Sequence, residues 1–147
     1  MTIRPATSQD IPAIKSIIDS TGLFPSEYLD DMFSEESGPE FWLTYDIKGP
    51  VAVAYCAPEP MTNGTFNLLL IAVHKQSQSK GIGQAIMSHV ENKLRQQGIR
   101  VLLVETSGTD EFVRTRSFYE QLGYENEARI RDYYDAGDDK IVFRKAM

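Results

Sequence analysis

The stretch Thr65-Phe-Asn-Leu-Leu-Leu-Ile-Ala-Val-His74, with the Lys75-Gln-Ser-Gln-Ser-Lys-Gly-Ile-Gly83 that follows it, limits the fold more than any other part of the chain. The first part is a leucine-rich apolar run with β-branched residues, which reads as a buried strand. The second is a polar loop closing on Gly81-x-Gly83. Beyond it, Ile82, Ile86, Val90 and Leu94 recur four residues apart and predict one apolar helix face through Gln97, with Gly98 as the stop. Strand, glycine loop and helix together aim backbone N–H groups and the positive end of a helix at one point. Phosphate binds at such a point, so a phosphate-bearing ligand is expected.

The rest of the chain can be laid out around this unit. Residues 2–6 read as a short edge strand, and Thr7 to Asp10 cap a helix carrying Ile11, Ile14, Ile17 and Ile18 that stops at Gly22. Pro25-Ser26 opens a second helix with Tyr28, Leu29, Met32 and Phe33 at helical spacing, and Ser37-Gly38-Pro39 breaks it. Strands at 41–45 and 51–55 flank a turn at Lys48-Gly-Pro50, and Pro58 to Gly64 is a longer connection. After the central unit come a strand at 100–106, a helix at 112–122 ended by Gly123, and two strands at 124–133 and 140–144. The order is β-α-α-β-β-β-α-β-α-β-β, a mixed α/β chain with a parallel strand–helix–strand unit at 65–106. At 147 residues one domain, 1–147, is expected, with roughly 70% of the unfolded surface buried.

Charge and composition narrow the partners. A net charge of −6 offers no basic field for nucleic acid. No run of about 18 apolar residues exists and the N-terminus lacks a signal core, so a soluble cytoplasmic protein is expected, with no membrane partner. Cys56 stands alone, which leaves no disulfide framework and no cysteine zinc site. No metal cluster is visible.

Two phosphate-binding folds fit poorly. A dinucleotide site would use Gly81-x-Gly83 with Glu105 on the ribose, but its third glycine position holds Ile86. Seven residues also separate Val73 from Gly81, where that fold turns at once, and the chain is short for two mononucleotide halves. A P-loop needs a Gly-Lys-Ser/Thr that is not there.

Gln78-Ser-Lys-Gly81-Ile-Gly83 resembles the Gln/Arg-x-x-Gly-x-Gly/Ala signature of the GNAT superfamily of acetyltransferases. Phe118-Tyr119-Glu-Gln-Leu-Gly123-Tyr124 is similar to that family's second signature, a tyrosine followed by glycine and an aromatic residue. The two occur in order, one strand apart, and the element order covers nearly the whole chain. The resemblance implies a mixed, mostly antiparallel sheet of about seven strands with about four helices, binding acetyl-coenzyme A as cosubstrate and passing its acetyl group directly to a primary amine. Ile71, Val73, Gln78, Ser79, Lys80, Gly81, Ile82, Gly83, Gln84 and Tyr119 would then contact the cofactor. Lys80 is either a point charge on the pyrophosphate or a solvated side chain. Glycine suits the loop because a Cβ would block close approach of the backbone.

Acetyl transfer needs further groups. Near Val73, a splayed strand in the family offers backbone N–H groups to the carbonyl oxygen, although no bulge is evident in the sequence. Tyr119 matches the family's general acid, a phenol of pKa about 10 protonating a thiolate whose conjugate acid lies near 8.5; core packing is its other reading. An amine acceptor arrives protonated and needs a base. Some members place a glutamate at the position of Asn67, which cannot serve. The ribosomal-protein alanine N-acetyltransferases use one at the end of the next strand, where this chain has Glu105. Following Val-Leu-Leu-Val, Glu105 would be partly desolvated and its pKa raised toward a useful value; a strand-end salt bridge is the alternative. His74 is a third candidate base, and His89 is expected to be exposed. One departure stands out: the family's asparagine seven residues before the tyrosine is Phe112 here, the preceding loop is about two residues longer, and Thr109 is no more than a candidate substitute.

Glu27, Asp30, Asp31, Glu35 and Glu36 would draw a cationic acceptor, or simply form a solvated helix face. The segment Arg129-Ile-Arg-Asp-Tyr-Tyr134 with Asp138-Asp139 is similar to the arginine, double tyrosine and acidic turn of those alanine N-acetyltransferases, so Tyr133, Tyr134 and Glu27 are candidate substrate contacts. Cys56 has no base beside it, and no acetyl-enzyme is expected. Peptide and small-molecule amines both remain open as acceptors, a homodimer is open as well, and the reading from another class is a non-catalytic acyl-coenzyme A sensor.

Overall fold

A computed structural model describes residues 1–35 and 38–147; Glu36 of the acidic run and Ser37 of the expected break lie outside the described residues. The strands are β1 (Thr2–Pro5), β2 (Phe41–Asp46), β3 (Pro50–Pro58), β4 (Thr65–Val73), β5 (Val101–Ser107), β6 (Glu125–Asp135) and β7 (Asp138–Ala146). The helices are α1 (Ile11–Thr21), α2 (Leu29–Met32), α3 (Ile82–Gln96) and α4 (Val113–Gln121). The sheet has seven strands in the order β1-β2-β3-β4-β5-β7-β6. Its β4–β5 pair is parallel, with Thr65 to Leu68 opposite Val101 to Val104, as a helical crossover through α3 demands. The pairs β1–β2, β2–β3, β5–β7 and β6–β7 are antiparallel.

The chain forms two compact units. The first comprises Met1–Ala57 and Leu70–Lys93. Its core gathers the α1 stripe Ile14, Ile17 and Ile18 with Leu29, Trp42, Val53, Leu70 and Ala72. Fully burying an aliphatic side chain of this size contributes about 1.5–3 kcal/mol, so the stripe alone anchors α1. Trp42 stacks on Tyr55 across the β2–β3 pair at 4.2 Å. The second helix is shorter than its apolar spacing suggests. A 3-10 turn at Ser26–Tyr28 leads into only four α-helical residues, and Phe33 is already extended with ψ 133°. Met32 and Phe33 still pack on the core, so the hydrophobic spacing reflects burial more than helix length.

The second unit comprises Pro58–Leu69 and Leu94–Met147. Leu102, Val104, Tyr119, Tyr124, Ile141 and Phe143 are buried there. The last two strands run further than the apolar pattern indicates, because the β6–β7 hairpin is held by its ladder and a two-residue turn at 136–137. Every residue of β6 is exposed, so no periodic burial marked it out in the sequence. No helix of the described residues is long and apolar enough to cross a membrane.

Candidate functional site

In the first unit, β4 ends at Val73 and the chain turns through a 3-10 segment, Lys75–Ser77, into the glycine loop. His74 caps this turn, its Nδ1 accepting from the Gln76 N–H at 3.2 Å while its backbone N–H donates to the Val51 carbonyl. That nitrogen is committed to structure. The Gln78 side chain folds back and donates through Nε2 to the Val73 carbonyl at 3.0 Å. Gln78 is therefore the clasp that fixes the loop to the strand end, a role its place in the signature did not reveal.

Two residues in this loop have left-handed backbones: Ser79 at φ 64° and Gly81 at φ 79°. Alternating handedness turns successive N–H groups toward one side, the geometry of an anion-binding nest. A Cβ built at Gly81 meets no atom within 4 Å, so glycine is required there by φ and not by packing. Helix α3 begins at Ile82, so Ile82, Gly83 and Gln84 form its first turn, and their N–H groups have no partner one turn earlier within the helix. Ser79, Lys80 and Gly81 are exposed, and Ile71 and Val73 are half-buried on β4. A pyrophosphate fits these donors. Ile86, Met87, Val90 and Leu94 are buried along α3, which holds its axis and hence the direction of its dipole.

In the second unit, Glu105 lies near the end of β5 with its side chain 29% exposed. The apolar run before it suggested a desolvated acid; the structure also places a cation beside it. Lys140 Nζ lies 2.7 Å from Glu105 Oε1, and Asn67 Nδ2 donates to Glu105 Oε2 at 3.0 Å. Asn67 also donates to Glu59 Oε1 at 2.8 Å, so a single amide bridges two carboxylates. Glu59 and Lys140 escaped the sequence reading because they are 46 and 35 residues from Glu105 and belong to no motif. Burial works to lower the proton affinity of Lys140, but the hydrogen bond and charge of Glu105 outweigh it and hold the ammonium form.

Tyr133 and Tyr134 join this cluster. The β6–β7 register jumps between Ile130 and Asp135, so the residues between them leave the ladder. Asp132, at φ 56°, secures the bulge by accepting from the Gly137 N–H, and Asp139 accepts from the Asp132 N–H and pairs with Arg129. Lys140 Nζ sits 4.2 Å above the Tyr133 ring, and burial, followed by the charge of Glu105, pushes the Tyr134 phenol up. Tyr133 and Tyr134 remain 54% and 46% exposed. Asp138 receives the Ser107 hydroxyl at 2.5 Å, and Ser107 also engages the Thr109 hydroxyl, so Thr109 belongs to the loop's own network. Arg116 on α4 clamps the same loop through the carbonyls of Ser107 and Thr109.

Tyr119 on α4 is 2% exposed, with its ring against Phe118, Tyr124 and Phe143 at 5.2, 5.7 and 5.7 Å. The core-packing reading is thus realised, and the aromatic cage also fixes the direction of the phenol. Glu27 is exposed on the 3-10 turn of the first unit, and His89 is exposed on α3.

The chain matches the family described as "Acetyltransferase (GNAT) domain" over residues 37–126, and it belongs to that family. It is an acyltransferase of the GNAT type, a family whose donor is acetyl-coenzyme A.

A crystal structure assigned to this family from Desulfovibrio desulfuricans shares 31% identity, covers 99% of this chain and 98% of its own, and superposes with a TM-score of 0.89. The ribosomal protein bS18 alanine N-acetyltransferase of Escherichia coli is 28% identical over 145 residues, 96% of this chain and 94% of that one. Its crystal structure gives a TM-score of 0.80, covering 99% of this chain and 92% of that one. An aminoglycoside 6'-N-acetyltransferase solved with coenzyme A shares 15% identity and the same fold, with a TM-score of 0.80 over 99% of this chain and 97% of that one.

Proposed function

We propose that the chain, acting as one catalytic domain over 1–147, transfers the acetyl group of acetyl-coenzyme A directly to a primary amine, with the N-terminal amine of a peptide as acceptor. The observation that carries this reading is Glu105, a carboxylate gripped at both oxygens beside two exposed tyrosines. Acetyl-coenzyme A supplies the thioester. The N–H groups of residues 79–83 and the first turn of α3 take the pyrophosphate, and the clasp from Gln78 to Val73 keeps that loop in register with the strand end. Glu105 accepts the proton that the ammonium must lose before it can attack. Tyr119 delivers a proton to the departing sulfur, its ring held in one direction by Phe118, Tyr124 and Phe143.

Direct transfer is favoured over a cysteine relay because burial pushes the Cys56 thiol up to about 12, which leaves almost no thiolate near neutral pH. The peptide acceptor is supported by Tyr133 and Tyr134, which leave the ladder beside Glu105 and present aromatic surface. Similarity to the bS18 alanine N-acetyltransferase points the same way.

Thiol release from acetyl-coenzyme A, measured over N-terminal peptides, amino acids and polyamines, tests the reading. Release with peptides is expected, and it should be lost in Glu105→Gln with cofactor binding intact. Tyr119→Phe should retain cofactor binding and turn over more slowly. Tight cofactor binding without release for any amine would overturn catalysis, and release with polyamines alone would overturn the peptide acceptor.

A further inference from the structure

Asn67 stands on the central strand, where a carboxamide can take no proton from an ammonium, yet it is 3% exposed and held in a single orientation. Its two amide hydrogens are divided between Glu59 Oε1 at 2.8 Å and Glu105 Oε2 at 3.0 Å. Reversing the amide would set Oδ1 against two carboxylate oxygens, so the arrangement is dictated by charge. It comes at a cost to the fold: Oδ1 is left buried without a hydrogen-bond partner. An apolar side chain would avoid that cost, and a buried polar group kept despite it marks a position doing something other than packing.

We infer that Asn67 and Glu59 are positioning residues for Glu105: Glu59 orients the Asn67 amide, and the amide sets the direction of the Glu105 carboxylate and its electrostatic link to Glu59. The inference rests on the reading of Glu105 as the base. The Glu105 carboxylate is thereby gripped from two strands, with Oε2 on Asn67 of β4 and Oε1 on Lys140 of β7. A rotating carboxylate would waste most of its encounters with an ammonium, whereas one held at both oxygens keeps its remaining lone pairs in fixed directions. The other groups that bear on it are the Tyr134 phenol, which feels the charge of Glu105, and Tyr133 and Asp138, which act on Tyr134 and, for Tyr133, on Lys140. None of these replaces the Asn67 donor at Oε2.

The pH profile of kcat/KM, taken with acetyl-coenzyme A affinity and Tm, separates positioning from simple support of the fold. Asn67→Leu removes both donors and the orphan oxygen together. It should leave Tm unchanged or raised and KM within a few-fold, lower kcat by up to about 100-fold, and move the acid limb to higher pH. Asn67→Asp places a third carboxylate against the other two and should move the acid limb further the same way. Glu59→Gln, on a half-buried connection, removes a negative charge while keeping an acceptor for the amide, and should move the acid limb to lower pH.

Opposite shifts for Asn67→Asp and Glu59→Gln are the expected signature. Rate loss with an unmoved acid limb, or shifts of the same sign in both variants, would overturn the inference. Glu105→Gln keeps the two ideas apart. If that variant turned over normally, the base assignment itself would fall; if it were inactive while the Asn67 and Glu59 profiles stayed fixed, only the positioning role would fall.

Discussion

Of the carboxylates that meet a cation, Asp10 and Glu105 are held in opposite ways. Asp10 accepts from Arg4 through both oxygens at 2.8 Å, and also from the Thr7 N–H at 2.8 Å. The planar guanidinium continues to Asp46 through Nε at 2.9 Å. Fork meets fork, and the cluster locks β1 to the start of α1. Glu105 meets a single ammonium and a shared amide, flanked by exposed tyrosines and a buried acceptor that finds no donor. The first pair is a closed two-pronged fork between residues six apart, although Asp46 Oδ1 at the far side of its cluster has no partner, and the second is assembled from four distant segments around a single ammonium and a shared amide. A bidentate fork is what a structural pair needs. Spare acceptor capacity beside a wet surface suits a group that must receive a proton from a visitor.

The largest effects should divide along that line. Glu105→Gln is expected to lower kcat by about 10² to 10⁴ and leave Tm close to the parent, since the side chain is 29% exposed and the glutamine oxygen can still accept from one of its two donors. If the variant instead unfolded several degrees lower with kcat intact, Glu105 would be a second Asp10, and the contrast would collapse. Gly81→Val should come next: a β-branched side chain is strained at φ 79°, and losing one charge-assisted bond to the pyrophosphate should weaken acetyl-coenzyme A about tenfold or more by titration. Tm should fall through the backbone strain alone, because no atom lies within 4 Å of that Cβ.

Asp10→Asn should do the reverse, costing about 1–2 kcal/mol in denaturant unfolding with kcat unchanged. Hydrogen bonding from Arg4 holds the Asp10 carboxyl down to about 2, against about 3.9 in an unfolded chain. A depressed carboxylate contributes its full stability above about pH 4 and loses it as pH falls toward 2. The parent should therefore lose stability through that window more steeply than the variant, and parallel curves would show that Asp10 carries no linkage.

The same contrast explains what was readable in the chain. The glycine loop, the α1 stripe and the Thr7–Asp10 cap are short-range features, written in spacings of three or four residues, and each formed where its pattern indicated. The position of Glu105 came through the family resemblance and not from any local pattern. Its partners did not come through at all. Lys140 reaches Glu105 because β7 pairs with β5 across a register that sets Glu105 opposite Val142 and Thr106 opposite Ile141, and no local pattern encodes that. Asn67 looked inert because its chemistry was judged alone, when its role lies in what it joins. Tyr133 and Tyr134 stood out as exposed aromatics, but the bulge that places them depends on Asp132 and Asp139 and on a positive φ at a residue other than glycine.

The finest test of the comparison is Lys140→Met. At Asp10 the cation is part of the lock, so removing Arg4 would loosen the fold. At Glu105 the cation is half of a pair whose side chains are 12% and 29% exposed, where an ion pair contributes about 1 kcal/mol or less. Methionine sets an apolar, polarisable thioether where the ammonium lay over the Tyr133 ring, so Tm should change little. What changes is the charge facing the base. Without a nearby cation the acid limb of kcat/KM should move to higher pH, slowing the enzyme at low pH and sparing it at high pH. An acid limb that stayed in place while Tm fell would make Lys140 a structural cation like Arg4, and the two carboxylates would then differ in geometry alone.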